Sequence, residues 1–394
     1  MKKNQKRRLN IAMVCDPIGE YKAGSIVSTL RFGKILKERG HNVIFIGART
    51  DKHKEHNHHH GVKTYRFRSV PIPKSGGWYT AFPTVKELKK VFQEEKIEVV
   101  HIILPMTAGV IAIKAARELG IKVVAHSHSQ PENIFPDAPK FIQPALFYIW
   151  NTYLAWVYRK AESLIYPSDL AYSLLDKLSR KGQPSTIISN GINLEEYKVK
   201  SLGDFNERYG IPDGKIKLLY VGRLMPEKSV DTLIKALPHI IEKHKNVHLM
   251  LVGGGYQRQK LEKMAQTLGL AKHVTFLGMV SDEDKVLAYN AGDIFILPSL
   301  AELEGMVVLE AIACGKPIII SDAKMSASRF FVNGNGFLFK TEDHQHLAEQ
   351  VSKLIADEEL RKKLGMASLE MSKKYDIQHS VDMLEEVYYS STEK

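Results

Sequence analysis

The chain has 394 residues, 44% hydrophobic and 25% charged, an ordinary globular composition that is long enough for two domains and leaves out fibrous or disordered classes. Its net charge of +12 is uneven: residues 1–200 carry 32 Lys and Arg against 17 Asp and Glu, a balance of +15, whereas residues 201–394 carry 24 against 27, a balance of −3. Cys15 and Cys314 lie far apart in apolar runs, so they read as small core residues of a reducing compartment and not as a disulfide or metal framework.

The basic start of the chain looks like the head of a signal peptide, but the apolar run at 11–15 is cut short by Asp16. No run reaches the roughly 18 apolar residues of a membrane span. The expected location is cytoplasmic, with a peripheral position on the inner face of the membrane as an extension of it. Residues 10–15 read as a buried strand, followed by a Gly-containing loop over 17–24 and a helix through Leu36 that ends at Gly40. Strand 41–47, helix 84–95, strand 99–104, helix 107–119 and strand 122–125 follow. The loop 53–60 holds five histidines; its polar setting favours solvation over metal binding. After two turn signals, Asn190-Gly191 and Pro212-Asp-Gly214, the alternation returns with strands at 216–222, 247–252, 273–277, 293–297 and 317–320. Helices at 229–243, 257–268, 282–290 and 305–314 separate them.

Strands alternating with helices of this length imply right-handed crossovers and parallel sheets covered on both faces. The expected fold is α/β, with two Rossmann-like doubly wound domains facing a central crevice at the carboxyl ends of their strands. The expected division is residues 1–190, 191–372 and a closing helical segment, 373–394, that packs back on the first domain. A dehydrogenase would need G-x-G-x-x-G after the first strand, which the loop after Asp16 lacks; Gly253-Gly-Gly255 follows a strand but reads as a tight turn.

Glu302 and Glu310 flank Gly305, where a helix opens. Its unpaired N–H groups and positive dipole end suit a phosphate, and the two carboxylates can accept hydrogen bonds from sugar hydroxyls at either side. Arg223 and Lys228, five apart after the strand 216–222, supply a planar fork and a point charge. Asp282-Glu-Asp284 has a spacing that elsewhere holds a divalent ion, but Ser281 before it and a helix after it read as an N-cap with acids in the first turn. No metal ligand is therefore assigned.

Val221-Gly-Arg-Leu-Met-Pro-Glu-Lys228, Val274-Thr-Phe-Leu-Gly278, Pro298-Ser299 with Glu302 to Glu310, Asn190-Gly-Ile-Asn193 and Gly40-His-Asn-Val43 together resemble the retaining nucleotide-sugar glycosyltransferases of GT-B architecture, family 4. The resemblance implies transfer of a hexosyl unit from a UDP- or GDP-sugar, used as co-substrate, to an acceptor hydroxyl, without cofactor or metal. It implies a departing diphosphate for Arg223 and Lys228 to neutralise, ribose contact by Glu310, a donor-sugar hydroxyl on Glu302, phosphates near the backbone of Gly305 and Met306, further donor contacts by Gly222 and Val307, and the base beside Met279. In Val124-Ala-His-Ser-His-Ser129 it puts a histidine near the reacting centre, by register His128 in preference to His126. Gly24 would approach phosphate and acceptor; Asn190 belongs to the interdomain motif. Ala23-Gly24 where two glycines are common, and Glu304 where an aromatic residue is common, depart from the pattern.

Residues 135–160 hold Phe141, Phe147, Tyr148, Trp150, Tyr153, Trp156 and Tyr158 beside Lys140, Arg159 and Lys160. A helix packed between domains accounts for most of these aromatics. With the charge of the first half, however, the segment fits a surface that dips into an anionic leaflet, so the leading acceptor is a membrane lipid or lipid-linked glycan. The alternatives are a soluble enzyme acting on a small molecule or polysaccharide, and a non-catalytic protein binding sugar nucleotide or nucleic acid. The basic half holds no nucleic-acid module, so no nucleic-acid partner is assigned.

Overall fold

The computed structural model describes residues 7–18, 24–50, 57–59, 61–72, 78–135 and 138–393. The chain divides into one unit of residues 1–131, 139–190 and 378–394, and another of residues 132–138 and 191–377. The short stretches 132–138 and 373–377 thus group with the second unit.

The first unit runs β1 (Asn10–Val14), α1 (Gly24–Glu38), β2 (Asn42–Ala48), β3 (Asn57–His59), β4 (Val62–Phe67), β5 (Ser69–Pro71), β6 (Tyr79–Ala81), α2 (Val85–Glu94), β7 (Val99–Ile102), α3 (Thr107–Glu118), β8 (Lys122–His126), α4 (Pro131–Ile134), α5 (Gln143–Tyr158), β9 (Ser163–Tyr166), α6 (Asp169–Leu175) and β10 (Ser185–Ile187). Its eight-stranded sheet has the order β10-β9-β8-β7-β1-β2-β4-β3, parallel except for β3 against β4. The chain leaves β1 toward β2 on one side and returns to β7 on the other. The carboxyl ends of β1 and β7 are therefore the switch point, where open sheets take ligands.

The second unit contains α7 (Phe205–Arg208), β11 (Ile216–Val221), α8 (Val230–Lys243), β12 (Val247–Val252), α9 (Arg258–Thr267), β13 (Val274–Gly278), α10 (Asp282–Ala291), β14 (Ile294–Leu297), β15 (Ala301–Glu302), α11 (Met306–Ala313), β16 (Ile318–Ser321), β17 (Met325–Ser326), β18 (Gly336–Phe339), α12 (His344–Ala356) and α13 (Glu358–Ser372). Its parallel sheet has the order β13-β12-β11-β14-β16-β18, with the switch between β11 and β14. Residues of β12 and β14 are buried along their whole length. Covered on both faces, such strands read as unbroken apolar runs, and each fully buried Leu, Ile or Val contributes roughly 1.5–3 kcal/mol.

The closing helix α14 (Ile377–Thr392) lies, from Gln378 onward, in the first unit. Leu9 N donates to His41 Nδ1 at 3.1 Å, which leaves His41 Nε2 to donate to Glu385 at 3.1 Å; Arg39 pairs with Asp382 at 2.6 Å, and Tyr388 Oη meets His101 Nδ1 at 2.6 Å. Of the histidine loop, His58 and His59 form β3 against β4, while 53–56 and 60 lie outside the described residues. Cys15 and Cys314 are buried thiols.

Candidate active site

The loop after β11 and the loop after β14 meet at the switch point of the second sheet. Leu300 N donates to the Glu227 carbonyl at 2.8 Å and Ser299 Oγ donates to it at 3.2 Å, which ties the two loops together. Within this frame Arg223 Nη2 donates to Glu227 Oε1 at 2.9 Å, and Tyr220 Oη donates to the Arg223 carbonyl at 2.7 Å. The buried Lys228 ammonium donates to Glu302 Oε1 at 2.7 Å. The sequence reading sets Lys228 on diphosphate and Glu302 on sugar as separate tasks; the structure makes them one ion pair. A ligand there must share or exchange that pair. Removing one partner of so enclosed a pair leaves the other charge uncompensated.

Arg223 is positioned by glycine. Gly253, at φ +130°, lies where an added Cβ would stand 1.9 Å from the Gly222 carbonyl oxygen. Leu224 N donates to the Gly254 carbonyl at 2.8 Å, so the Gly253-Gly-Gly255 run lets the loop after β12 pass directly against the loop that carries Arg223. Met279 is exposed and lies beside Gly254.

Gly305 takes φ +101° before α11, and a Cβ on it would fall 2.0 Å from Ser328 Oγ. Met306 and Val307 are half-buried in the first turn, and Glu304 is buried, its carbonyl accepting from Ser328 Oγ at 3.2 Å. One turn into α11 the buried Glu310 carboxylate accepts from Lys285 Nζ at 2.9 Å on Oε1 and from Tyr289 Oη at 2.9 Å on Oε2, both from α10. Burial, then the Glu310 charge, pushes the Tyr289 phenol well above its ordinary pKa, so it stays a donor. These two contacts orient the Glu310 carboxylate. At the start of α10, Ser281 Oγ accepts from Asp284 N at 3.0 Å, and Asp284 pairs with Arg208 at 2.8 Å and accepts from Tyr209 Oη at 2.9 Å.

In the first unit His126 is buried at the end of β8, stacked between His101 at 5.7 Å and His128 at 4.1 Å between ring centroids. Burial pushes His101 and His128 down to about 3 and His126 well below its ordinary value, with the neighbouring imidazoles adding to the effect on His101 and His126. All three are neutral at pH 7. His128 is the one that keeps partly exposed surface. Gly24, the exposed first residue of α1, accepts from Ser28 Oγ at 2.8 Å; residues 19–23, most of the loop expected to approach the phosphates, lie outside the described residues. Asn190 is buried after β10.

Four residues of this arrangement carry no role in the sequence reading. Glu227 stands inside the quoted motif. Lys285 and Tyr289 are separated from Glu310 by 25 and 21 positions and have no local signature. Asp16 is fully buried at the switch point of the first sheet, where its Oδ1 accepts from Ala81 N at 2.8 Å, Thr80 Oγ1 at 3.2 Å and Ala108 N at 3.3 Å. Burial raises it to about 6.

Comparison with known proteins bears on this geometry. The family model described as Glycosyltransferase Family 4 matches residues 23–196, and the one described as Glycosyl transferases group 1 matches residues 204–371. The alpha-monoglucosyldiacylglycerol synthase of Streptococcus pneumoniae is 27% identical over 292 residues, which cover 72% of this chain and 64% of that relative. The match thus spans just under two thirds of the relative's length. Among solved structures, sucrose-phosphate synthase from Thermosynechococcus elongatus superposes with a TM-score of 0.81 at 21% identity, over 97% of this chain and 99% of that one. Anabaena HepE in complex with UDP-glucose superposes with a TM-score of 0.78 at 20% identity, over 96% and 99%. The fold is that of the GT-B glycosyltransferases, α/β with Rossmann-like parallel-sheet units. The chain belongs to the family 4, group 1 glycosyltransferases.

Proposed function

We propose that the protein transfers a hexosyl unit from a nucleoside diphosphate sugar, UDP- or GDP-linked, to a hydroxyl of a membrane lipid or lipid-linked glycan, with retention of anomeric configuration, on the inner face of a membrane. The observation that carries the donor half is the convergence of Arg223, Lys228, Glu302, Gly305 and Glu310 at the β11/β14 switch point, already held by Glu227, Lys285 and Tyr289. Glu310 would accept from the ribose. Lys228 would move part of its charge from Glu302 to the departing diphosphate, freeing Glu302 Oε1 for a donor-sugar hydroxyl. Arg223 and the N-terminus of α11 would add charge that grows in value as the bond breaks. Neutral His128 would hold a hydroxyl near the reacting carbon. One relative named as the synthase of a diacylglycerol glycolipid, and one protein of like fold solved in complex with UDP-glucose, support the acceptor and donor classes.

Arg223→Ala and Lys228→Ala are each expected to lower turnover about 100-fold or more, with a smaller change in donor affinity. Turnover is expected to persist in excess EDTA, since side chains and a helix end supply the positive charge. Steady-state kinetics with a mass-detected product checks both; wild-type turnover in both variants would sink the assignment, and strict metal dependence would remove its metal-free form.

A further inference from the structure

No charged residue stands between Lys140 and Arg159, and α5 fills most of that interval. One side of α5 is buried through Leu154, Val157 and Tyr158. The opposite side, which in an ordinary surface helix would be charged, presents Phe141 just before the helix, Tyr148, Ile149 and Trp156, at 84%, 75%, 64% and 50% exposure. Positions 141, 145, 148, 149, 152 and 156 fall on one stripe at helical spacing. The helix carries no charged residue, its few polar side chains being Gln143, Asn151 and Thr152, and its outward side faces solvent, which marks a surface that something apolar covers.

The flanks say what covers it. Lys140 precedes the helix; Arg159 and Lys160 close it, and Lys177 lies across from them. Among the described residues none of these four cations pairs with a carboxylate. The Lys160 ammonium sits 3.0 Å from the Trp156 ring centroid, and Arg159 spends only Nε, on the Leu178 carbonyl at 3.2 Å. Together with Tyr148, Asn151 and Lys177 these residues line a cavity of about 650 Å³. Burial and then the Arg117 charge pull the Lys160 pKa down. A second copy is a poor occupant: whichever way two α5 helices ran, cations would meet cations across the contact.

We propose that α5 docks the protein on an anionic phospholipid leaflet, with the Phe141–Trp156 stripe entering the headgroup–acyl boundary and the cavity between Trp156, Arg159, Lys160 and Lys177 taking a lipid phosphate. Aromatic and aliphatic side chains belong at that boundary, and each cation near an anionic leaflet adds to the attraction. This deepens the lipid-acceptor reading and rests on it for its purpose, but its test needs no glycosyl transfer. The full chain is floated with vesicles of phosphatidylcholine alone or mixed with phosphatidylglycerol, with UDP-induced thermal shift as the check of folding. The wild type is expected to float with the anionic vesicles and little with the neutral ones. Tyr148→Ser with Ile149→Ser should cut flotation about tenfold or more, and Lys160→Glu with Lys177→Glu should do so in proportion to phosphatidylglycerol content. Quenching of wild-type tryptophan fluorescence by brominated acyl chains should be lost in Trp156→Phe; because it needs only a conservative variant, it decides the matter even where the serine pair misfolds. Absence of wild-type flotation, flotation untouched by folded variants, or a dimer dissolved by the same substitutions would overturn the proposal. Transfer to lipid in detergent micelles by a chain that does not float would overturn the docking alone and leave the reaction standing.

Discussion

Lys228 and Glu302 are each other's counter-ion at 2.7 Å, and Glu310 is oriented by two donors from another helix. The side chains assigned to a donor are therefore held before it arrives, which lowers the ordering cost of binding. The stacked imidazoles of the first unit have a separate consequence. His101 and His128 are depressed to about 3 and His126 well below its ordinary value, so on unfolding they return to an ordinary pKa near 6.5 and take up protons the folded state refuses. Their contribution is full above 6.5 and is lost as pH falls toward 3. Asp16, raised to about 6, binds its proton in the folded state first, so it works in the opposite sense between 4 and 6 and offsets about one imidazole. The net expectation is a melting temperature that falls below pH 6.5, with a slope of up to ~1.4 kcal/mol per pH unit for each uncompensated histidine. His126→Phe keeps a ring in the stack and removes one titration, so it should flatten that slope; thermal unfolding from pH 4 to 8 with an unchanged slope would contradict this.

At the scale of elements, the parallel strands are legible because burial on both faces leaves continuous apolar runs such as those of β12 and β14. β4, with the sequence Val-Lys-Thr-Tyr-Arg-Phe, is not, because Arg66 is fully buried and its Nη1 donates to the carbonyls of Ile18 and Ala48 at 2.9 Å each. A strand that hides a guanidinium carries no alternation to detect. In and just before α5 the sequence favours a packed helix for most of the aromatics; Phe147, Trp150, Tyr153 and Tyr158 are half-buried or buried while Phe141, Tyr148 and Trp156 face solvent, since composition does not record which side of a helix is covered. Within the candidate site the motif residues were legible and their holders were not. Lys285 and Tyr289 reach Glu310 only because α10 and α11 lie side by side. Gly253 is a case in which local sequence named a turn while packing gives the reason, the close approach to Gly222. Gly253→Ala is expected to push the Arg223 loop aside, costing about 1–3 kcal/mol and several-fold in turnover. Wild-type melting temperature and turnover in that variant would remove the positioning role.

On the scale of the whole molecule, charge and chemistry are divided along the chain. The half rich in lysine and arginine carries α5 and its unpaired cations, and the nearly neutral half carries the paired glutamates and cations of the donor site. An electropositive half suits a surface made of many anions, whereas a site for one diphosphate needs a few cations, each already balanced until the ligand enters. The central claim is that the β11/β14 site binds a nucleoside diphosphate sugar and delivers its sugar to a lipid hydroxyl. The most direct measurement presents UDP-, GDP- and ADP-sugars with membrane lipid extract to the wild type and to Lys228→Ala, and follows lipid products by mass. The account expects one donor to yield a lipid heavier by a hexosyl unit, with its formation about 100-fold slower in the variant. No transfer from any donor, or equal transfer by the variant, would contradict it.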